Sequence, residues 1–214
     1  MKSDEIRDRR VQYETAGIDV GDLLADPMEQ WLRWHADALG AGVAEPNAMT
    51  FSTVDESGTP DARMVLVRGA DGRGFTFFTN YDSVKSRQLA ANPVAAATFG
   101  WLDLHRQVRV RGSIERTTDA ESDEYFASRP RSSQIGAWAS PQSQPLESRG
   151  ALDALVAEIE QRFGEGPVPR PHYWGGWRLR PTAWEFWQGR TSRLHDRLAY
   201  RPSSGGWTIQ RLAP

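Results

Sequence analysis

The segment from Trp184 to Arg197 carries the side chains best suited to chemistry. Large aromatic residues fill its first part, and Arg193, His195 and Arg197 then recur at every second position. Alternate residues of a β-strand leave the same face, so this spacing predicts two guanidinium groups and an imidazole beside a cluster of rings. Such a set suits a pocket for a flat, anionic molecule. A solvated strand edge with an arginine-rich face is the alternative interpretation.

A second group of side chains could hold a phosphate. Tyr125, Arg129 and Ser133 recur at four-residue spacing across a predicted helix end, and together they offer a phenol, a guanidinium and a hydroxyl. Lys85 lies in the first turn of a short predicted helix, where the helix dipole disfavours a cation unless an anion binds there. An ordinary surface cluster is the alternative. The sequence has no glycine-rich phosphate loop, so side chains must hold any phosphate.

Composition restricts the class of protein. The 214 residues are 39% hydrophobic and 25% charged, which is typical of one globular domain. The formal net charge of -2 argues against a nucleic-acid partner bound through general positive charge. The lack of cysteine excludes disulfides, thiolate ligands and a cysteine nucleophile. The four histidines lack the spacing of metal ligands, so no metal site is expected.

The N-terminal residues differ in character from the rest of the chain. Residues 1–22 are polar and charged, which predicts a mobile arm ahead of a single domain at 23–214. The sequence has no apolar leader and no apolar run long enough to cross a membrane. We therefore expect a cytoplasmic protein without a membrane partner.

Many short alternating segments separated by tight turns indicate a mainly β protein. Strands are predicted at 48–55, 61–68, 75–79, 94–101, 105–117, 174–180, 182–188, 195–201 and 206–212. Helices are predicted after Asp26 and at 83–91, 118–128 and 147–163, with an irregular packed loop at 129–145. The first helix is expected to bury Met28, Trp31, Leu32 and Leu39. The pattern predicts an α+β, antiparallel split β-barrel of Greek-key type with peripheral helices.

Several motifs follow one another in a specific order. They include Tyr-Phe-Ala-Ser-Arg-Pro-Arg-Ser-Ser-Gln-Ile-Gly-Ala-Trp at 125–138, Trp-Gly-Gly-Trp at 174–177, Glu-Phe-Trp-Gln-Gly at 185–189, Arg-Leu-His-Asp-Arg at 193–197 and Arg-Leu-Ala-Pro at 211–214. Together they resemble the pyridoxine/pyridoxamine 5′-phosphate oxidase family, over essentially residues 7–214. The resemblance implies an FMN-binding split barrel that acts as a homodimer, with flavin sites at the subunit interface.

The resemblance also implies two sets of site residues. Those implied for FMN are Arg63, Met64, Val65, Leu66, Val67, Arg68, Phe78, Thr79, Lys85, Gln107, Gln142, Ser143, Trp187 and Arg197. Those implied for the substrate are Arg10, Tyr13, Arg68, Tyr125, Arg129, Ser133, Arg193 and His195. Arg193 and His195 match the residues over the pyridine ring and are the implied catalytic residues. Arg10 and Tyr13 match an N-terminal segment that can cover the bound substrate.

The implied activity is oxidation of pyridoxine 5′-phosphate or pyridoxamine 5′-phosphate to pyridoxal 5′-phosphate, with dioxygen reduced to hydrogen peroxide. Two residues depart from the family pattern: Arg68 replaces an expected lysine, and Val84 replaces an arginine of some members. One alternative is a related flavin oxidase for another reduced heterocycle, such as a dihydrophenazine. The other is a non-enzymatic FMN-binding protein. The phosphate-binding residues favour the phosphorylated substrate, because a dihydrophenazine needs no such set.

Overall fold

The computed structural model describes residues 11–214. Its α-helices are α1 (Pro27–Gly40), α2 (Val84–Ala91), α3 (Asp119–Ser128), α4 (Arg131–Ala139) and α5 (Arg149–Phe163). Its strands are β1 (Ala48–Val54), β2 (Pro60–Leu66), β3 (Gly69–Asp71), β4 (Gly74–Asn80), β5 (Val94–Trp101), β6 (Arg106–Arg116), β7 (Trp174–Gln188), β8 (Asp196–Ser203) and β9 (Gly206–Leu212). Short 3₁₀ turns lie at Val20–Asp22, Leu102–Leu104 and Thr191–Arg193.

The strands belong to a nine-stranded sheet. Its order is β2-β1-β5-β6-β7-β4-β3, and β8 pairs with both β7 and β9. Strand β7 is antiparallel to β4, with Phe77 opposite Trp177, and antiparallel to β8, with Trp187 opposite Arg197. Strands that are distant in sequence therefore become neighbours, which brings separate motifs onto adjacent strands.

The chain divides into two compact units. Unit 1 contains the segments through Ala48, Thr98–Val110 and Thr182–Pro214, and unit 2 contains Met49–Ala97 and Arg111–Pro181. Strands β5, β6 and β7 contribute residues to both units. The division into an arm and one domain at residue 22 stays a prediction. Among residues 11–214, no helix is long and apolar enough to cross a membrane.

Helix α1 begins where the sequence predicts it. The Asp26 side chain accepts hydrogen bonds from the backbone amides of Met28 and Glu29, and Pro27 occupies the first turn. The cap satisfies donors that have no intrahelical partner, and the fixed φ of proline suits the first helical position. Local chemistry alone therefore sets this end of the helix.

The buried stripe of α1 differs from the prediction. Leu32 and Leu39 are 43% and 64% exposed, whereas Trp31, Trp34 and Ala38 are almost fully buried. Residues three, four and seven apart share a helix face, and the two tryptophans occupy that face. Their indole rings fill the core of unit 1, so the leucines are left at its edge.

Helix α4 corrects the prediction of an irregular loop at 129–145. No described side chain caps its N-terminus, and serine and glycine lower its intrinsic helix propensity. Ile135 and Ala139 are nevertheless buried, and Ile135 belongs to an apolar cluster with Phe126, Val168 and Trp174. Tertiary packing in unit 2 stabilises this helix, which local sequence does not mark.

Strand β7 corrects the prediction of two strands at 174–180 and 182–188. It runs unbroken through Pro181, although a proline lacks the amide donor of a sheet ladder and is expected to end a strand. Gly112 makes close approach possible, since a Cβ at that position would lie 3.0 Å from the Pro181 Cα. The remaining strands and helices that were predicted agree with the structure to within two residues at each end, and β3 was not predicted.

Candidate functional site

Unit 2 contains a pocket of about 620 Å³, here called the cationic pocket. It gathers predicted flavin and substrate residues that are far apart in sequence. Those residues are Met64, Val65, Leu66, Arg68, Phe78, Thr79, Lys85, Tyr125, Arg129, Ser133 and Gln142. Three of the described lining residues are cations and none is a carboxylate. The pocket therefore has the electrostatic character of an anion site.

Lys85 lies at one side of the cationic pocket without a carboxylate partner in the described part of the chain. Its Nζ donates to Gln142 Oε1 at 3.0 Å and to Thr79 Oγ1 at 3.2 Å. The Thr79 hydroxyl also donates to Gln142 Oε1, at 2.8 Å. Burial and the nearby charge of Arg63 lower the pKa of Lys85 to about 8. An anion at this position would stabilise the charged amine.

Arg129 provides a second cation that needs a partner. Its Nη1 atom is buried and has no hydrogen-bond partner among residues 11–214. The guanidinium lies over the Trp174 ring at 4.7 Å from the centroid. Burial lowers the pKa of Arg129, and the positive charge of Arg68 adds to this effect. Buried donors are nearly always paired in folded proteins, so this atom is a candidate contact for a ligand.

The spacing of Tyr125, Arg129 and Ser133 places all three side chains at the cationic pocket. Helix α3 carries Tyr125, the connection to α4 carries Arg129, and the first turn of α4 carries Ser133. The Tyr125 ring stacks on Phe78 with 4.0 Å between centroids. Phe78 in turn stacks on Trp174 at 5.6 Å. One wall of the pocket is therefore aromatic, and the cations line other parts of it.

Three predicted flavin residues of unit 2 lie outside the described lining of this pocket. Arg63 forms an ion pair with Asp61 and donates to Thr53 Oγ1 at 2.6 Å, although its charge still acts on Lys85. Val67 is buried, and Ser143 is exposed with a φ of 70°.

Unit 1 contains another pocket, of about 590 Å³, here called the His195 pocket. Of the residues predicted for the site, it is lined by Tyr13, Trp187, Arg193 and His195. Arg10 lies outside the described residues. Gln107 and Arg197, also in unit 1, lie outside the described linings of both pockets.

The structure corrects the prediction that Arg193, His195 and Arg197 share one face of a strand. Strand β8 begins only at Asp196, so Arg193 and His195 precede it. Ser192 and Arg193 have φ angles of 56° and 62°, in the left-handed region that non-glycine residues rarely adopt. This turn, rather than strand alternation, brings Arg193 and His195 to one pocket. Strained backbone of this kind is common at functional sites.

Arg197 occupies β8 as an ion-pair partner. Its Nε donates to Glu185 Oε1 at 2.9 Å and its Nη2 to Glu185 Oε2 at 3.1 Å. This bidentate geometry fixes the guanidinium plane. The arrangement holds Arg197 beside β7, where Trp187 is its direct cross-strand partner.

The ring of His195 is held in one orientation. The backbone amide of Arg190 donates to its Nδ1 at 3.1 Å. In the neutral ring the proton therefore resides on Nε2. The Trp187 and Tyr13 rings lie 4.7 and 5.8 Å from the imidazole centroid. These contacts leave an oriented donor beside an aromatic surface.

Seven lining residues were not predicted as site residues. They are Val11, Gln12, Arg190 and Ser192 in the His195 pocket, and Ser128, Pro130 and Trp174 in the cationic pocket. Trp174 lies in a recognised motif, and Arg190 follows another directly. Those motifs could have identified both residues. The left-handed conformation of Ser192 has no comparable signal in the sequence.

Comparison with known proteins assigns the chain to a family. Residues 36–163 match the family model described as pyridoxamine 5′-phosphate oxidase, and residues 174–214 match that of the pyridoxine 5′-phosphate oxidase C-terminal dimerisation region. The chain belongs to the pyridoxamine 5′-phosphate oxidase family. The family resemblance and the oxidoreductase class predicted from the sequence are thereby confirmed.

Relatives in this oxidase family match along almost the whole chain. A pyridoxine/pyridoxamine 5′-phosphate oxidase of Burkholderia mallei is 57% identical over 212 residues, which cover 98% of this chain and 99% of that protein. An enzyme of the same name from Burkholderia thailandensis is 56% identical over the same length.

Solved structures confirm the predicted split-barrel fold of the family. PhzG from Burkholderia lata, in complex with tetrahydrophenazine-1-carboxylic acid, has a TM-score of 0.88 and 29% identity, covering 95% of this chain and 100% of its own. A pyridoxamine 5′-phosphate oxidase-related, FMN-binding protein from Nostoc punctiforme has a TM-score of 0.67 and 17% identity, covering 86% of this chain and 97% of its own. The second likeness concerns the fold alone.

Proposed function

We propose that this protein is an FMN-dependent oxidase that converts pyridoxine 5′-phosphate or pyridoxamine 5′-phosphate to pyridoxal 5′-phosphate and reduces dioxygen to hydrogen peroxide. The observation that carries the proposal is the buried Nη1 atom of Arg129, which has no hydrogen-bond partner among residues 11–214 and belongs to a side chain that lines one pocket with Tyr125 and Ser133. A phosphate would satisfy that buried donor. The full-length identity of 57% to enzymes named for these substrates supports the same reaction.

The residues present in unit 2 fit a flavin phosphate. Among the described residues, the half-buried cation Lys85 contacts neutral oxygens, and Arg63, although paired with Asp61, adds positive charge nearby. We infer that these two residues hold the FMN phosphate. The flavin is then lined by Met64–Val67, Arg68, Phe78 and Thr79. The remaining flavin contacts that the resemblance implies come from Gln107, Gln142, Ser143, Trp187 and Arg197. FMN, when bound, would supply the hydride acceptor and would pass the electrons on to dioxygen.

The side chains of the His195 pocket are proposed to orient the substrate. Because Nδ1 of His195 accepts the Arg190 amide, the Nε2–H of the neutral ring is the group that can donate to the substrate. Arg193 offers a planar cation from the neighbouring turn, held by its left-handed backbone. Their role is to position the substrate and stabilise developing charge, without a covalent intermediate.

Phosphate binding supplies the energy that fixes this pose. The phosphate is carried by a different substituent of the pyridine ring from the carbon that is oxidised, so contacts from Tyr125, Arg129, Ser133 and Arg68 can hold the substrate without touching the reacting bond. A substrate without the phosphate would lose this positioning. We expect such a substrate to turn over slowly even at saturation.

We also propose that the active form is a homodimer with flavin sites at the subunit interface. The match of residues 174–214 to a dimerisation region supports this assembly. That region includes Trp187, Arg193 and His195, so residues proposed for the site belong to it. Coverage of the substrate by Arg10 and Tyr13, and the cytoplasmic location, stay predictions.

The first experiment is an oxidase assay with FMN-loaded protein in air. Pyridoxine 5′-phosphate and pyridoxamine 5′-phosphate are offered separately, and hydrogen peroxide and pyridoxal 5′-phosphate are measured together. Equal amounts of both products establish the proposed reaction and make Arg68 a tolerated variation.

A dihydrophenazine is the matched competitor in this assay. PhzG is similar in fold at 29% identity, and Arg68 departs from the lysine expected in the phosphate-binding enzymes. Oxidation of the dihydrophenazine, with both phosphorylated pyridines untouched, would refute the proposed substrate. A flavin that no candidate reduces would indicate a binding protein instead.

A further inference from the structure

The described part of the N-terminal arm, residues 11–22, is held against the rest of unit 1 by an ionic cluster. Asp196 Oδ2 accepts the backbone amide of Ile18 at 3.1 Å, and Asp196 Oδ1 accepts Arg211 Nη1 at 2.6 Å. Arg190 Nη1 donates to the Ala16 carbonyl at 2.9 Å and lies 3.5 Å from Asp196 Oδ2. We call Asp196, Arg190 and Arg211 the arm latch. Asp196 is its centre, because both arginines and the arm contact its carboxylate.

Arg211 extends the latch along the arm. Its Nη2 donates to the Ile18 carbonyl at 3.0 Å and to Asp19 Oδ1 at 2.9 Å. Asp196 therefore accepts the amide of Ile18 while Arg211 donates to the carbonyl of the same residue. Charge-assisted bonds to both backbone polar groups of Ile18 fix the position and orientation of the backbone at that residue.

Gly17 fits the latch because it has no side chain. Its φ of +79° favours glycine, and a Cβ there would lie 2.6 Å from Asp196 Oδ2 and overlap the Arg190 guanidinium. Gly21, four residues later, provides a contrast: a Cβ at that position meets no described atom within 4 Å. The arm and the latch therefore fit each other sterically as well as electrostatically.

The latch is connected to the His195 pocket through Arg190. The side chain of Arg190 holds the arm, whereas its backbone amide donates to His195 Nδ1. The arm residue Thr15 also donates from its hydroxyl to the Gly189 carbonyl at 2.6 Å, and Tyr13 lines the pocket itself. Arm docking and imidazole orientation thus depend on the same short segment before β8.

We propose that Asp196 is a positioning residue of this oxidase. It fastens the arm beside the His195 pocket, and through Arg190 it helps to hold the imidazole in the orientation that binds substrate. The part of this role that concerns substrate rests on the proposed function. The docking of the arm does not, and it can be measured without substrate.

The test compares Asp196→Asn with the unaltered protein. The amide keeps the size of the side chain but removes the charge that holds Arg190 and Arg211. We expect hydrogen exchange at the Ile18 amide to accelerate about tenfold, because charge-assisted bonds are lost. With FMN-loaded enzyme, the KM for pyridoxine 5′-phosphate should rise about tenfold while kcat changes by less than about twofold.

Two matched controls separate the latch from general damage. Asp37→Asn removes a carboxylate of the same unit that pairs with Arg106 at 2.7 Å, and it should change neither measurement. Gly17→Ala should reproduce the effects of Asp196→Asn, whereas Gly21→Ala should not. The double variant of Gly17 and Asp196 should resemble either single variant, because both break one contact.

Several results would overturn the proposal. Unchanged exchange at Ile18 in Asp196→Asn would refute the latch, and fully additive effects in the double variant would refute a shared contact. Faster exchange with an unchanged KM would refute the positioning role. If the unaltered enzyme oxidises neither phosphorylated pyridine, the proposed function fails, and exchange in the two glycine variants then supports or refutes the latch on its own.

Discussion

Cations in this oxidase differ in how completely the surrounding chain satisfies them. Arg197 has a bidentate partner in Glu185, whereas Arg129 keeps a buried Nη1 without a partner among residues 11–214. Lys85 contacts neutral oxygens and no carboxylate in the part of the chain that the structure describes. A satisfied cation can contact a ligand only by sharing or exchanging its partner, whereas an unsatisfied one is available to a ligand directly. This difference distinguishes the two kinds of arginine, which look alike in sequence.

Lys85 should make FMN binding depend on pH. Its pKa of about 8 reflects burial and the charge of Arg63, and a bound phosphate dianion would raise that pKa. Binding above pH 8 must therefore take up a proton. We expect the affinity for FMN to be nearly constant from about pH 7 to pH 8 and to fall by up to about tenfold per pH unit above that.

The dissociation constant can be followed through quenching of FMN fluorescence over that pH range. Lys85→Met is the control, and it should bind more weakly at pH 7 with little change above pH 8. A flat profile in the unaltered protein would contradict the assignment. In the FMN-free protein, the lowered pKa also predicts that the free energy of unfolding increases as pH rises from about 8 towards 10.5. Over this range Lys85 loses its proton in the folded state but keeps it in the unfolded state.

Arg193 should contribute to turnover rather than to flavin binding. Its side chain lines the His195 pocket from a strained turn, whereas Lys85 and Arg129 line the cationic pocket. We expect Arg193→Met to lower kcat/KM for pyridoxine 5′-phosphate about 100-fold, in line with the loss of a positioned charged group. FMN retention after gel filtration should stay unchanged. Arg180→Met, at an exposed ion pair, is the matched control; equal loss of flavin and turnover would refute the assigned role.

At the scale of secondary structure, α3 connects the core of unit 2 to its pocket. Thr118 and Glu121 form a reciprocal cap at its N-terminus, and Glu121 also accepts Arg178 Nη2 at 2.6 Å. The side chain of Arg178 is only 6% exposed. Helix α3 then presents Tyr125 to the pocket and ends just before Arg129. Glu121 therefore fixes the element from which the proposed phosphate site extends.

Glu121→Gln should destabilise the protein by about 2 kcal/mol, because it leaves the buried guanidinium of Arg178 with Glu115, at 3.5 Å, as its charged partner among the described residues. The Thr118 amide lowers the pKa of Glu121 to about 2, so the stabilisation is present at neutral pH and lost as pH falls towards 2. Denaturant unfolding at neutral and acidic pH measures both effects.

The control is Asp153→Asn, at an exposed helical pair, which should cost less than about 0.5 kcal/mol. Equal costs for the two variants would contradict the role of the buried pair.

The sequence predicts the start of a helix well where a local capping side chain determines it. Asp26 and Thr118 cap α1 and α3 close to the predicted starts of these helices, because their side chains satisfy the free amides of the first turn. Helix α4 was not predicted, since it lacks such a cap and depends on the burial of Ile135. Local sequence predicts a break in β7 at Pro181, because proline usually ends a strand. The glycine that lets another strand approach Pro181 closely is Gly112, which is far away in sequence and gives no local signal.

The same distinction applies to the site. The spacing of Tyr125, Arg129 and Ser133 predicted correctly that they share one pocket. They lie at the end of α3, in the connection and in the first turn of α4, so local helix geometry determines their positions. Strand alternation gave the wrong account of Arg193 and His195, because the left-handed turn at Ser192 has no local signal. Lys85 was also indicated by its position at a helix start. Most of the other site residues were predicted through the family resemblance alone, which carries tertiary information that single-sequence patterns do not contain.

At the scale of the whole molecule, charge is distributed unevenly. The formal net charge is -2, yet the described lining of the cationic pocket contains Arg68, Lys85 and Arg129 and no carboxylate. A slightly negative net charge gives no general attraction for anions, whereas the pocket concentrates positive charge. Selective capture of a phosphorylated metabolite is consistent with this distribution.

The proposed homodimer predicts that two inactive variants can complement each other. Arg129→Met damages the cationic pocket of unit 2, and Arg193→Met damages the His195 pocket of unit 1. If each interface site combines the cationic pocket of one subunit with the His195 pocket of the other, a mixed dimer has one intact site. Random mixing should then recover about a quarter of the unaltered activity, because half of the dimers are mixed and each has one working site.

The mixture can be prepared by co-expression with two different tags, and the mixed dimer purified through both. Its matched control combines Arg129→Met with Lys85→Met, which damage the same pocket and should give no recovery, since every site then contains one altered cationic pocket. A purified mixed dimer of Arg129→Met and Arg193→Met without recovered activity would show that each site takes both side chains from one subunit. Recovery in the first mixture alone would establish that the two subunits share each site, which explains why the dimerisation region carries residues proposed for catalysis.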